Sequence, residues 1–290
     1  MNTEGKGRIG RGFALAKASW GVLRADKSLA AFPVIGIVAG GLAAALLFAP
    51  GVALFAANDT QEWPLIVFGV LAVYGLSFVT IFCSVALAAC ASASLDGQDT
   101  TVSQGLAVAR SRIGVISGWT LISVTLGLIL NAIQSALNNQ GGGAAVAGAI
   151  IGALGSLAWA VATFFVIPII ALEGIGPVDS IKKSVSVIKE RWGEGVVGSG
   201  FLGIVALPAV IVGMLIGFAG FSVFQTQEGL GIALIAIAVL IIFAASFVVS
   251  VLTAIFRVVL YRYATDGAVA GGFSERELDS AFRQSKKKGR

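Results

Sequence analysis

The 290-residue chain is 57% hydrophobic and only 12% charged, about half the charged fraction of a soluble domain. Its apolar residues come in unbroken blocks that water cannot solvate, so a soluble globular domain is excluded and an all-α, polytopic membrane helical bundle is expected. With no histidine and two cysteines, the chain has no evident ligand set for zinc or haem, and no cofactor is expected.

Residues 1–28 read as a cytoplasmic segment carrying a basic amphipathic helix, with Ile9, Phe13, Ala16, Trp20 and Leu23 at helical spacing. Six apolar blocks follow, at 29–57, 63–95, 113–137, 144–172, 195–224 and 230–263. Each exceeds the ~20 residues that cross a ~30 Å hydrocarbon layer as a helix. Runs such as 230–247 are apolar on every face, whereas a barrel strand alternates apolar and polar residues. The first block is longer than the ~7–15-residue core of a signal peptide, so it reads as a retained helix. The six-helix domain therefore spans 29–263, with cytoplasmic amphipathic linkers near 98–112 and 178–194, and 264–290 form a basic cytoplasmic tail.

Within the second block, Ser77, Thr80 and Ser84 share a helix face, suited to hydrogen bonds between helices. Asn131, Gln134 and Asn138 do the same in the third block, and suit either interhelical bonds or the wall of a solute path. Gly36 with Gly40, Gly148 with Gly152 and Ser156, and Gly213 with Gly217 form small-residue faces for close helix approach. Pro50, Pro168 and Pro208 are expected to kink their helices. Cys83 and Cys90, seven residues apart in one helix, stand ~10 Å from each other and are expected to pack as free thiols. Gly141–143 read as an outer hairpin turn; without a following Lys-Ser/Thr they are no phosphate-binding loop.

Lys and Arg number six before the first block, two between the second and third, four between the fourth and fifth, and eight from Arg257 onward. The alternate loops near Asp59, Asn139 and Glu228 hold none. This is the positive-inside pattern, so both termini are expected in the cytoplasm. The basic residues, including the Lys286, Lys287, Lys288 and Arg290 tail, are read as a topology signal with membrane lipids as neighbours, and not as a nucleic-acid surface.

The segments before the first, third and fifth blocks align: Gly12-Phe-Ala-Leu-Ala-Lys17, Gly105-Leu-Ala-Val-Ala-Arg110 and Ser184-Val-Ser-Val-Ile-Lys189. Val102, Leu106, Ala109, Ile113 and Ile116 in the second copy, and Ile181, Val185, Ile188 and Trp192 in the third, repeat the helical spacing, which suits the headgroup layer. Each hairpin closes alike, on Asp96-Gly97, Glu173-Gly174 and Asp266-Gly267, where the glycine suits a helix C-cap and the carboxylate a basic neighbour. Three parallel repeats of amphipathic helix plus transmembrane hairpin are expected, related by a pseudo-threefold axis along the membrane normal.

Lys17-Ala-Ser-Trp20-Gly-Val-Leu-Arg-Ala-Asp26-Lys27 followed by Phe32-Pro33, and the closing Tyr261-Arg-Tyr263-Ala-Thr-Asp266-Gly267 with Phe273, resemble the two ends of a prokaryotic membrane-protein family known only as a domain of unknown function. That resemblance implies six helices and no established activity. The repeat is similar to that of mitochondrial carriers at the level of fold, but their Pro-x-acidic-x-x-basic signature is missing.

No nucleophile-and-base constellation stands out, and no carboxylate or lysine lies mid-bilayer. The expected function is a non-enzymatic scaffold of the prokaryotic cytoplasmic membrane that organises lipid, a partner protein or its own copies. Its contact residues would be Lys17, Arg110 and Lys189, with Arg257 snorkelling to the interface or holding an anion. The alternative is a channel or facilitator with Asn131, Gln134, Asn138 and Arg257 as wall residues. A lipid enzyme would need Asp96, Glu173 and Asp266 to converge.

Overall fold

The computed structural model describes residues 8–57, 62–138, 142–192, 200–224, 226–269, 273 and 278, and every regular element among them is helical. In chain order these are α1 (Arg8–Ala25), a 3-10 turn (Lys27–Ala30), α2 (Ala31–Ala57), α3 (Trp63–Leu95), α4 (Val102–Ser111) and α5 (Ile113–Asn138). They continue with α6 (Gly142–Ala162), α7 (Val166–Leu172), α8 (Pro177–Trp192), α9 (Gly200–Phe224) and α10 (Glu228–Asp266). Gly142 and Gly143, expected in a hairpin turn, open α6 instead, while Gly141, the start of the fifth block and the basic 279–290 tail lie outside the described residues.

Among the described residues, five helical segments are long and apolar enough to cross a membrane: Lys27–Ala57, Trp63–Leu95, Ile113–Leu137, Gly148–Leu172 and Glu228–Asp266. Their surfaces carry large apolar side chains with no protein cover, such as Leu46 at 73% exposure and Leu240 at 65%. Contiguous surface of this kind is unstable in water and is matched by hydrocarbon. The described residues are thus all-α, with five segments whose length and apolar surface suit a membrane. α9 adds a further apolar helical stretch at Ala209–Phe224.

The chain divides into two compact units. The first comprises Ser28–Ala93 and Gly97–Gly193, the second Met1–Lys27, Ser94–Asp96 and Glu194–Arg290.

In the first unit, α2 and α3 form an antiparallel hairpin closed by glycines. Gly36 faces Cys83, Gly40 faces Leu76 and Gly51 faces Phe68, while Gly75 of α3 receives Leu47. α5 and α6 close the same way, with Gly148 against Leu137, Gly152 against Gln134 and Gly155 against Leu130. The small-residue faces read from sequence thus pack inside hairpins. Gly155, and not the exposed Ser156, completes the α6 face.

The fourth block is two helices, α6 and α7, separated by turns at 163–165. Pro168 explains the break: it has no N–H to offer and its ring clashes with the carbonyl four residues back, at Phe164. Pro50 and Pro208 stand in uninterrupted helices. The backbone freed at the break is satisfied by α8, where the Phe165 N–H donates to Ser184 Oγ at 3.2 Å. Ser184 is fully buried. Ser184→Ala is therefore expected to leave a buried donor unsatisfied and to cost about 1–3 kcal/mol of stability. Equilibrium unfolding of the purified protein in mixed micelles measures this.

α4 docks on α3 through Gly105, which lies against the Ala86 carbonyl, Cys90 Sγ and the Phe32 ring. A capping box starts α4: Thr101 Oγ1 accepts from the Gln104 N–H, and Gln104 Oε1 accepts from the Thr101 N–H. Both cysteines are buried thiols, Cys83 against Gly36 and Cys90 against Gly105. α8 buries Ser180, Ser184, Val187 and Ile188. Ile181 and Val185, expected on its apolar face, are only half-buried, because small serines let the helix seat more closely on the other side.

In the second unit, α9 and α10 are zipped by Gly213 against Ile242, Gly217 against Ala238, Gly220 against Leu234 and Ile235, and Gly231 against Phe224. α1 packs on both helices. It buries Ala16, Ser19, Val22 and Leu23. Trp20, expected on that face, is 39% exposed and lies under the Arg24 guanidinium at 5.8 Å. The side chains of Ile9, Phe13 and Trp192 lie outside the described residues. α10 runs 39 residues, roughly 58 Å at 1.5 Å per residue, well beyond the hydrocarbon layer.

Candidate functional site

The chain's distinctive chemistry lies where helix pairs end. Among the described residues three glycines have positive φ: Gly97 at 75°, Gly174 at 66° and Gly267 at 68°. These are the glycines of the three acidic-Gly ends. The left-handed conformation turns the chain sharply out of a helix and is open to glycine without penalty. The Gly174 N–H donates to Ile169 and Ile170, and the Gly267 N–H to Tyr263, supplying donors to carbonyls the helices leave open.

Two of the three carboxylates meet a base. Arg262 Nη2 donates to Asp96 Oδ1 at 2.6 Å, and Lys183 Nζ donates to both oxygens of Glu173 at 2.6 and 2.7 Å. Asp266 is exposed. The Asp96 pair ties distant segments together and the Glu173 pair neighbouring ones, but Asp96 is 46% exposed and Glu173 29%, so each is worth about 1 kcal/mol or less.

Lys17, Arg110 and Lys189 are all exposed, and in each case the preceding residue is buried: Ala16, Ala109 and Ile188. The helices are held by the small or apolar position and present the cation outward. Arg110 is two residues before Arg112, whose guanidinium lies against Gly174 in the space a Cβ would fill. Sequence reading placed Arg112 only among the topology charges; a basic residue opening a span beside an acidic-Gly corner was the available signal.

The remaining predicted residues each have their own setting. Asn131 is exposed and its Oδ1 accepts from Ser135 Oγ at 3.5 Å. Gln134 folds its amide onto Gly152 at the α5–α6 crossing. The Asn138 side chain lies outside the described residues. Arg257 is half-buried on α10 among the buried Ile255, Phe256 and Val258. Thr80 and Ser84, expected to bond other helices, donate instead to Leu76 and Thr80 carbonyls of their own helix. The interhelical bond that does form, Tyr74 Oη to Ser117 Oγ at 2.6 Å, joins α3 to α5.

A pocket of about 190 Å³ opens between the end of α3 and α4, lined by Ala89, Cys90, Gln98, Asp99, Thr100 and Gly105. It is smaller than the ~300–1,000 Å³ typical of drug-sized ligand sites.

Against known families, the model of a family of unknown function, DUF6159, matches residues 65–272. The chain belongs to the DUF6159 family. The DUF6159 match takes in all three acidic-Gly ends and the Tyr261–Gly267 closing motif, while Lys17 and the opening motif precede it. No curated protein and no solved structure matches the chain.

Proposed function

We propose that this chain is a non-catalytic, multi-pass protein of the prokaryotic cytoplasmic membrane that organises anionic lipid at the cytoplasmic face. α9 serves as the sixth crossing: its 25 residues reach roughly 37 Å, enough for the hydrocarbon layer. Six crossings and the positive-inside distribution put both termini, α4 and α8 in the cytoplasm.

In this reading the chain is three copies of one unit, an amphipathic helix followed by a membrane hairpin that ends on an acidic residue and a left-handed glycine. Support comes from the shared positive φ of Gly97, Gly174 and Gly267 and from the common burial step before each cation.

The observation that carries the function is the presentation of Lys17, Arg110 and Lys189, each exposed on a helix whose adjacent position is anchored in protein. Cations held at headgroup depth attract anionic lipid at about 1 kcal/mol each. The facilitator reading is weakened by Gln134, whose amide is committed to Gly152 at a helix crossing.

The test is the lipid composition retained around the protein in nanodiscs that mix phosphatidylglycerol with phosphatidylcholine. Wild type is expected to enrich phosphatidylglycerol, and the Lys17→Gln, Arg110→Gln, Lys189→Gln triple variant to lose most of that enrichment. A wild type with the bulk lipid ratio, or one that conducts small solutes across liposomes, contradicts the proposal.

A further inference from the structure

Arg112 ends the α4–α5 connection and immediately precedes Ile113, the first residue of a membrane-crossing helix. Its side chain is packed against Gly174, so closely that any Cβ there would overlap Nη1, Cζ and Nε. Arg112 Nε is buried and has no hydrogen-bond partner among the described residues. Glu173, the nearest carboxylate in sequence to that corner, is engaged by Lys183 through both oxygens.

A guanidinium always carries its charge and presents its N–H donors in a rigid fork. A buried donor of this kind left without an acceptor is strongly unfavourable, and no described residue supplies one to Arg112 Nε. The fork matches two oxygens of a phosphate. Glycine at 174 is required twice over, by its positive φ and by the flat guanidinium it accommodates.

We propose that Arg112, seated on Gly174, binds the phosphodiester of one anionic phospholipid headgroup. This rests on the cytoplasmic-membrane reading above, because only that reading places the start of α5 at headgroup depth. The choice of an anionic lipid follows from charge: Arg110 stands two residues away and exposed, and it disfavours the cationic end of a choline headgroup. The site differs from the exposed Lys17, Arg110 and Lys189 positions in holding one lipid through directed hydrogen bonds.

The experiment is native mass spectrometry of the full chain released from phosphatidylglycerol nanodiscs, counting lipids that survive delipidation. Wild type is expected to keep one tightly held phosphatidylglycerol. Arg112→Gln is expected to weaken that lipid by about tenfold, in line with loss of charge-assisted hydrogen bonds, and Arg112→Lys, which keeps the charge without the fork, to fall between. Should Arg112→Gln fail to fold, Arg112→Lys carries the comparison. Equal retention in wild type and the folded variants overturns the site. So does displacement of the lipid by inorganic phosphate, which identifies a free-anion site. Loss of bulk enrichment in the Lys17, Arg110, Lys189 triple variant with no effect of Arg112 variants leaves the broader function standing and removes this site. A wild type with no phosphatidylglycerol preference removes both.

Discussion

Replacing Gly231 by alanine is expected to destabilise the protein by about 3 kcal/mol, at the upper end of what overpacking costs in a well-filled interior. A Cβ at this position would stand 2.5 Å from Phe224 Cα and 2.8 Å from both its nitrogen and its Cβ. The obstacle is backbone, which cannot rotate away, so the α9–α10 hairpin must open where the two helices meet. Gly229, two residues earlier, has nothing within 4 Å of its would-be Cβ. Alanine there is expected to be neutral or to stabilise by up to about 1 kcal/mol through helix propensity. Detergent-titrated unfolding followed by circular dichroism reads both variants. Equal stability of the two would mean that the hairpin does not close on Gly231.

The second large effect concerns the three left-handed glycines. Gly97→Ala and Gly267→Ala face only backbone strain, since nothing lies within 4 Å of either position, and each is expected to cost about 1–2 kcal/mol. Gly174→Ala adds the overlap with Arg112 and is expected to cost about 3 kcal/mol or more. Asparagine, which tolerates the left-handed region, is expected to recover much of the loss at 97 and 267. A double-mutant cycle isolates the steric part: in an Arg112→Ala background, Gly174→Ala is expected to fall to the cost seen at Gly97. The same cost in both backgrounds would show that the guanidinium does not occupy the face of Gly174.

The helices were legible because the membrane imposes a simple rule. Apolar blocks long enough to cross lipid must be helical, and α3 follows its block residue for residue at Trp63–Leu95. The acidic-Gly ends were equally readable, since the positive φ needed there restricts the residue to glycine and the copies repeat it. Small-residue faces told that helices approach closely, but periodicity carries no information about the partner. Only coordinates show that Gly152 receives Gln134 and so withdraws that amide from a polar wall.

Burial within the protein has the same root. The apolar stripe on α1 sets Trp20 at the headgroup layer without saying which of its residues meet protein; burial follows the shape of the surface α1 packs on, and the smaller Ala16, Ser19 and Val22 fit it. Serine at 184 stands in the sequence only as the opening residue of the third aligned segment. Its role depends on the break at 163–165, which depends in turn on Pro168. Arg112 is one of twenty basic residues, and although it opens a span, its place in the sequence does not say which acidic-Gly corner it meets.

The central claim is that three equivalent units present their basic helices on one side of the membrane. Substituted-cysteine labelling with a membrane-impermeant maleimide tests it directly, in a background with Cys83 and Cys90 replaced by alanine. Cysteines at 17, 110 and 189 are expected to label only in inverted vesicles, and those at 59, 139 and 228 only in right-side-out ones. Labelling of residue 17, 110 or 189 from the opposite side to its two counterparts would contradict the three-unit arrangement.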